Sequence, residues 1–381
     1  MTLLGLFCYG VVTRRDNIAA VAFLPRASSQ RLHDAARRTK TSGMLVSPVQ
    51  NFAAVEYGAS KGKECMKNFS FIGAILSVVM LSGHASADIA RLPPNVVSGI
   101  AALGPVLDPP MIAKTRALMN PLAAMTPPAS VTVAKDVAYG SDDPLQKFDI
   151  YSPAKTPAEK GRGLPIVVFV HGGGFVGGDK ADYNNVPTYL SQHGMVAVNA
   201  DYRLAPKVTW PAGSRDVGAM VAFLRKNGAQ YGGNPRRIVL IGHSAGANLV
   251  ASYVLDPSLH PKAGPGVVAA VLVSLPASRL ASIGDRDKVY YGNDASLYAK
   301  RAPATHVNDS KLPLLIVTAE YDPVALAPDA YDLAAKVCMR DGKCPAFFYV
   351  KGHNHISEIG SIGSPDDQLS RTLIDFVRVS K

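Results

Sequence analysis

The chain has 381 residues, 48% hydrophobic and 18% charged, which suits one large α/β domain with additional segments and excludes bulk disorder. Its formal charge of +11 is weighted toward residues 1–87, which hold 10 Lys/Arg against 4 Asp/Glu, and no basic run interleaves with aromatic residues. That spread reads as a solvated surface, so a nucleic-acid partner is not expected.

Residues 1–65 show weak periodicity and no motif, and read as a non-native or disordered extension ahead of a true start at Met66. Met66-Lys67-Asn68 then leads into an uncharged run from Phe69 to Leu81 and the triplet Ala85-Ser86-Ala87. A basic start, a short apolar stretch and a small-residue end form the pattern of a secretory signal, here 66–87, so a periplasmic or secreted protein beginning near Asp88 is expected, with a cytoplasmic one the alternative. Thirteen helical residues reach only about 20 Å, short of a bilayer core of about 30 Å, so no permanent membrane span is expected. Beyond this segment only Cys338 and Cys344 remain, separated by an Asp341-Gly342 turn that would bring their sulfurs together; in an oxidising compartment they would pair.

Residues 88–130 are broken by eight prolines and read as an N-terminal arm or part of a lid. The α/β domain is placed at 131–381. Val131–Val137 and Lys147–Tyr151 resemble strands joined by a Gly-Ser-Asp-Asp turn, and Ile166–Val170, Met195–Ala200, Arg237–Ile241, Val267–Leu275, Leu314–Thr318 and Ala346–Val350 are further short apolar runs. Helical patterns fall at Pro110–Met119, Arg215–Asn227, from Ala245, and Pro365–Val379. Such alternation implies a mainly parallel sheet covered on both faces. Residues 276–312 interrupt it with Tyr290, Tyr291 and Tyr298 and are a candidate cap.

The chemistry-bearing signal is Gly242-His243-Ser244-Ala245-Gly246, set between an apolar strand and a helix. This is the context of a nucleophile elbow, in which glycines permit a strained turn that lifts the serine out at the sheet edge. A second glycine run, His171-Gly172-Gly173-Gly174-Phe175, follows another strand and offers backbone N–H groups for a developing oxyanion; Gly173 and Gly174, with Ala245, are the expected donors. No Walker or dinucleotide pattern is present, so no cofactor is expected, and no metal. A serine nucleophile needs a base and an orienting acid, in the chain order serine, acid, histidine on this architecture. Asp322 follows the Leu314–Thr318 strand, with Glu320 the alternative acid; His355 follows the Ala346–Val350 strand, with His353 the alternative base.

Together HGGGF at 171–175, DYRLAP at 201–206, GHSAG at 242–246 and AEYDP at 319–323 resemble the α/β-hydrolase superfamily, above all its hormone-sensitive-lipase-like esterases and bacterial carboxylesterases, over residues 131–379. The resemblance implies the triad Ser244, Asp322 and His355, an oxyanion hole of Gly173, Gly174 and Ala245, a structural role for Asp201-Tyr202-Arg203, and a small-molecule ester as substrate. Two positions depart from it: His243 stands where Asp is common before the serine, and Ile356 where an aromatic residue usually follows the histidine. The stretch Gly-His-Asn-His is also similar to feruloyl-esterase-like and kynurenine-formamidase-like relatives. An arylformamidase or amidase on the same triad, or a non-catalytic binder on this scaffold, are the alternatives.

Overall fold

In a computed structural model, residues 92–154, 163–280 and 283–381 are described. The expected extension at 1–65 and signal at 66–87 lie outside the described residues. Two helices open the described part, α1 (Pro94–Leu103) and α2 (Pro109–Met119), each with proline in its first turn, where no N–H is missed. The strands β1 (Val131–Ala138), β2 (Lys147–Pro153) and β3 (Leu164–Val170) follow, then α3 (Asn185–Gln192), β4 (Val196–Ala200), α4 (Ala212–Asn227), β5 (Gly233–His243) and α5 (Ala245–Leu255). After β6 (Ala269–Val273) come α6 (Asp285–Tyr291), α7 (Tyr298–Arg301), β7 (Leu314–Tyr321), α8 (Ala327–Asp341), β8 (Ala346–Asn354), α9 (Ser357–Gly360) and α10 (Gln368–Val379).

The eight strands form one sheet in the order β1-β2-β4-β3-β5-β6-β7-β8. The pairs β1–β2 and β2–β4 are antiparallel; the other five are parallel. Central strands buried on both faces must be apolar throughout, and β3 is the clearest case. Ile166, Val168 and Val170 point into the layer of α4 and α5, against Met220, Leu224 and Val250. Val167 and Phe169 point the other way, toward Leu190 of α3 and Leu373 and Val377 of α10. The parallel strands run in register, so their carboxyl ends reach one edge together. The loops after β3, β4, β5, β7 and β8 gather at that edge; the first four carry the four motifs and the last carries His355.

Helices α1, α3, α6, α7, α8 and α9 add to those legible in the sequence. Helix α3 buries Val186 and Leu190 on too short a pattern to stand out. In the proline-rich region, Leu92, Val96, Ile100 and Met119 make a small apolar cluster that packs against Tyr321 at the end of β7. Helix α2 is thereby held beside the carboxyl edge. The Cys338 and Cys344 sulfurs are disulfide-bonded across the turn that ends α8.

Candidate active site

Strand β5 ends at His243 and α5 begins at Ala245, leaving Ser244 alone in the turn with φ 54° and ψ −125°. A non-glycine residue with positive φ is strained, and this one is clamped by a bond from its N–H to the Val273 carbonyl, 2.9 Å. The flanking glycines are there because backbone passes too close for anything larger. A Cβ on Gly246 would lie 2.2 Å from the Val170 carbonyl oxygen, and one on Gly242 would lie 2.4 Å from that of Gly246. Ala245 is the first helical residue, so its N–H has no intrahelical acceptor and points out of the helix N-terminus beside Ser244.

The glycine loop after β3 runs alongside. A Cβ on Gly172 would sit 2.8 Å from that of Ser244, and Gly173 has φ 139°, a conformation with no room for a side chain. The loop is braced from behind by the DYRLAP segment. Tyr202 Oη donates to the His171 carbonyl, 3.2 Å, Asp201 accepts from Lys180 N–H, 2.7 Å, and the Ala205 N–H donates to the Phe175 carbonyl, 2.9 Å. Arg203 forks onto Asp216 with its closest contact at 2.7 Å, fixing the segment to α4.

His355 and Asp322 meet in the interior. His355 Nδ1 lies 2.9 Å from Asp322 Oδ1, and both side chains are about 1% exposed. Burial alone would raise the Asp322 carboxyl; donation from His355, from Ser274 Oγ at 2.5 Å and from Ala319 N–H at 2.9 Å outweighs it and holds the group below its ordinary value. The other imidazole nitrogen, Nε2, is buried and has no hydrogen-bond partner among the described residues. It opens with Ser244, Gly172, Gly173 and Gly174 onto one cavity of about 290 Å³. The Ser244–His355 bond is not closed in this geometry; such bonds commonly tighten only when substrate is bound.

The alternatives from the sequence go elsewhere. Glu320 is exposed and accepts from Gly352 N–H at 2.7 Å, pinning β8 to β7. His353 is buried with Nε2 3.0 Å from Asp366 and Nδ1 3.0 Å from Ser357 Oγ, both nitrogens satisfied away from the cavity. Asn354 between the two histidines shapes the turn: its Oδ1 accepts from the N–H groups of Ile356 and Ser357, and its Nδ2 donates to Thr115 on α2. His243, the departure in the elbow, donates from Nε2 to the His355 carbonyl, 2.9 Å. Burial first, and then the neighbouring His355, push it down to about 3, so it is a neutral prop under the base.

Sequence reasoning did not find Ser274 or Glu358, which extend the buried network beyond Asp322. Nor did it find Arg116, Tyr183 and Arg286, which line the cavity. Tyr183 is raised by burial and Arg116 pairs with Asp182 at 3.0 Å. His243, His355 and Glu358 could offer ligand atoms within 4.8 Å of one another, but hydrogen bonds already account for how His243 and Glu358 are held.

A BD-FAE family model matches residues 148–256, which span the oxyanion loop and the elbow. Among curated proteins, Esterase LipQ of Mycobacterium tuberculosis is 26% identical over 57% of this chain and 55% of its own length. Carboxylesterase NlhH of the same species is 31% identical over 52% of this chain and 59% of its own. The chain thus spans little more than half the length of these relatives. Among solved structures, a bacterial heroin esterase superposes with TM-score 0.58 at 23% identity, covering 75% of this chain and 97% of that one. Esterase B from Lactobacillus rhamnosis gives 0.56 at 22% identity, covering 74% and 96%. The chain has the α/β-hydrolase fold.

Proposed function

We propose that this protein is a carboxylesterase-type serine hydrolase acting on small-molecule esters. The observation that carries the reading is the convergence of three loops on one cavity. A strained serine, glycine-loop backbone and an imidazole nitrogen with no hydrogen-bond partner among the described residues all face it, and the imidazole is backed by a buried, ionised aspartate. His355 takes the Ser244 proton as Oγ attacks the ester carbonyl. Asp322 holds the N–H on Nδ1 and stabilises the imidazolium. The N–H groups of Gly173, Gly174 and Ala245 receive the oxyanion. The alcohol leaves with the proton from His355, and water repeats the sequence on the acyl-enzyme. The two curated relatives, both named esterases, support the ester as substrate.

The test is p-nitrophenyl acetate turnover together with fluorophosphonate labelling. Ser244→Ala is expected to lower turnover by about 10⁴-fold or more and to abolish labelling. Activity retained in that variant rules the mechanism out. An N-formyl arylamine run beside the ester panel separates esterase from formamidase.

The signal-like segment 66–87 and the Cys338–Cys344 bond support a periplasmic or secreted protein. Amino-terminal sequencing of protein from its native host is expected to begin near Asp88; an intact Met1 refutes it.

A further inference from the structure

Behind Asp322 the buried network continues through Ser274 Oγ to Glu358, which is 0% exposed. We propose that Glu358 is a positioning residue for the reaction: as an uncharged carboxylic acid it donates to Ser274 Oγ and so commits the Ser274 hydroxyl proton to Asp322. The proposal rests on the roles given above to Asp322 and His355.

Ser274 Oγ touches Asp322 Oδ2 at 2.5 Å and also Glu358 Oε1, but a serine hydroxyl has one proton to give. With both carboxyls ionised, one of these contacts would set a bare carboxylate against a hydroxyl oxygen with no proton between them. One carboxyl must therefore carry its own. Asp322 already accepts from His355 Nδ1, Ser274 Oγ and Ala319 N–H, the surroundings of an anion. Glu358 has no such support, since its Oε2 has no hydrogen-bond partner among the described residues.

The titratable groups facing Glu358 are Asp322, His243 and His355; His355 has a ring nitrogen within 4.8 Å of a Glu358 oxygen but spends its Nδ1–H on Asp322. Asp322 is negative and repels a second charge. His243, with Nε2 3.7 Å from Glu358 Oε1, spends that N–H on the His355 carbonyl and is neutral. No cation among these neighbours would balance a Glu358 carboxylate in the interior, and an unpaired buried charge is resolved by taking up a proton. Burial, and then the Asp322 charge, push the Glu358 carboxyl well above the ordinary range.

The result is an ordered chain in which Glu358 donates to Ser274 and Ser274 to Asp322, while Asp322 accepts the Nδ1–H of His355. Ser274 and the Ala319 N–H fix Oδ2, leaving Oδ1 for the imidazole. Without them the carboxyl could turn, and the tautomer that aims Nε2 at the cavity would lose its anchor.

The experiment compares Glu358→Gln, Glu358→Ala and Ser274→Ala in the purified full chain. The infrared difference spectrum of wild type minus E358Q at neutral pH should contain the carbonyl stretch of a protonated carboxylic acid, shifted in D₂O. This readout needs no turnover, so it decides the protonation state even if the ester reading fails. Carboxylate bands alone overturn the proposal.

In ester hydrolysis E358Q keeps a neutral donor. It should hold kcat within about threefold and the acid limb of the kcat/KM profile within ~0.3 pH unit. Were Glu358 ionised, neutralising it would move that limb down by about one unit or more. E358A and S274A are expected to lose about 10- to 100-fold in kcat with KM within about threefold, the pattern of a lost transition-state interaction. E358Q as impaired as E358A, or a displaced limb in E358Q, refutes the idea. Should E358A fail to fold, S274A and E358Q carry the kinetics and the infrared result stands.

Discussion

His353 and His355 stand two apart and are equally buried, yet their ring nitrogens are spent differently. His353 bonds Asp366 and Ser357, closing a structural loop. His355 spends one nitrogen on Asp322 and keeps the other for the cavity. His353→Ala is therefore expected to destabilise the fold by about 2–3 kcal/mol, through an unpaired buried Asp366, while the folded fraction keeps its kcat. His355→Ala should abolish turnover and also cost about 1–3 kcal/mol, since it takes one donor from the buried Asp322 carboxylate; denaturant melts and turnover per folded molecule separate the two variants. Glu358 adds a pH dependence. Its carboxyl is raised by burial, so the folded state holds a proton that the unfolded chain gives up near its ordinary value of about 4.3. Stability contributed by that proton is present in full below this value and is lost as pH rises toward the folded value. Glu358→Gln removes this loss. Its melting temperature should match wild type near pH 4 and exceed it increasingly at neutral and alkaline pH; a gain independent of pH contradicts the assignment.

The elements around the site are positioned by packing onto the oxyanion loop as much as by the sheet. Phe175 ends that loop at φ 66°, and its ring stacks on Tyr290 of α6 with centroids 4.6 Å apart. Tyr291 meets the same ring edge-on at 5.4 Å and receives a hydrogen bond from Asn248 of α5 at 3.0 Å. The region 276–312 is thus fastened to the loop through Phe175, and Arg286 lies over Gly174. Phe175→Ala should cost about 3–5 kcal/mol in denaturant unfolding and lower kcat more than it raises KM, because the N–H donors would no longer be held. The elbow has less tolerance still. Gly246→Ala drives a methyl into the Val170 carbonyl, and expression in insoluble form is the expected outcome, seen directly by fractionation.

At the scale of the whole molecule, parallel strands in register deliver four separated loops to one edge, and the helices on both faces make the sheet rigid enough to hold them. The Cys338–Cys344 bond lies where α8 turns back into the start of β8, the opposite end of the strands from the site. Closing so short a loop stabilises by about 2 kcal/mol at most, so replacing both cysteines by serine should lower the melting temperature modestly and leave kcat unchanged. The sheet was legible in the sequence because strands buried on both faces must be apolar throughout, as β3 and β6 are, and local composition records that demand. The elbow and the glycine loop were legible because close backbone approach admits only glycine at positions such as 246 and 173. Position in the loops favoured Asp322 over Glu320 and His355 over His353 without excluding the alternatives, since residues two apart share a loop and only packing shows which side chain turns inward. Ser274 and Glu358 carried no signal at all: a serine past a strand and a glutamate in a short helix are ordinary until folding seals both from water behind Asp322. Residue type fixed which groups could react; the exclusion of solvent, a property of the assembled chain alone, decided which of them are charged and where they point.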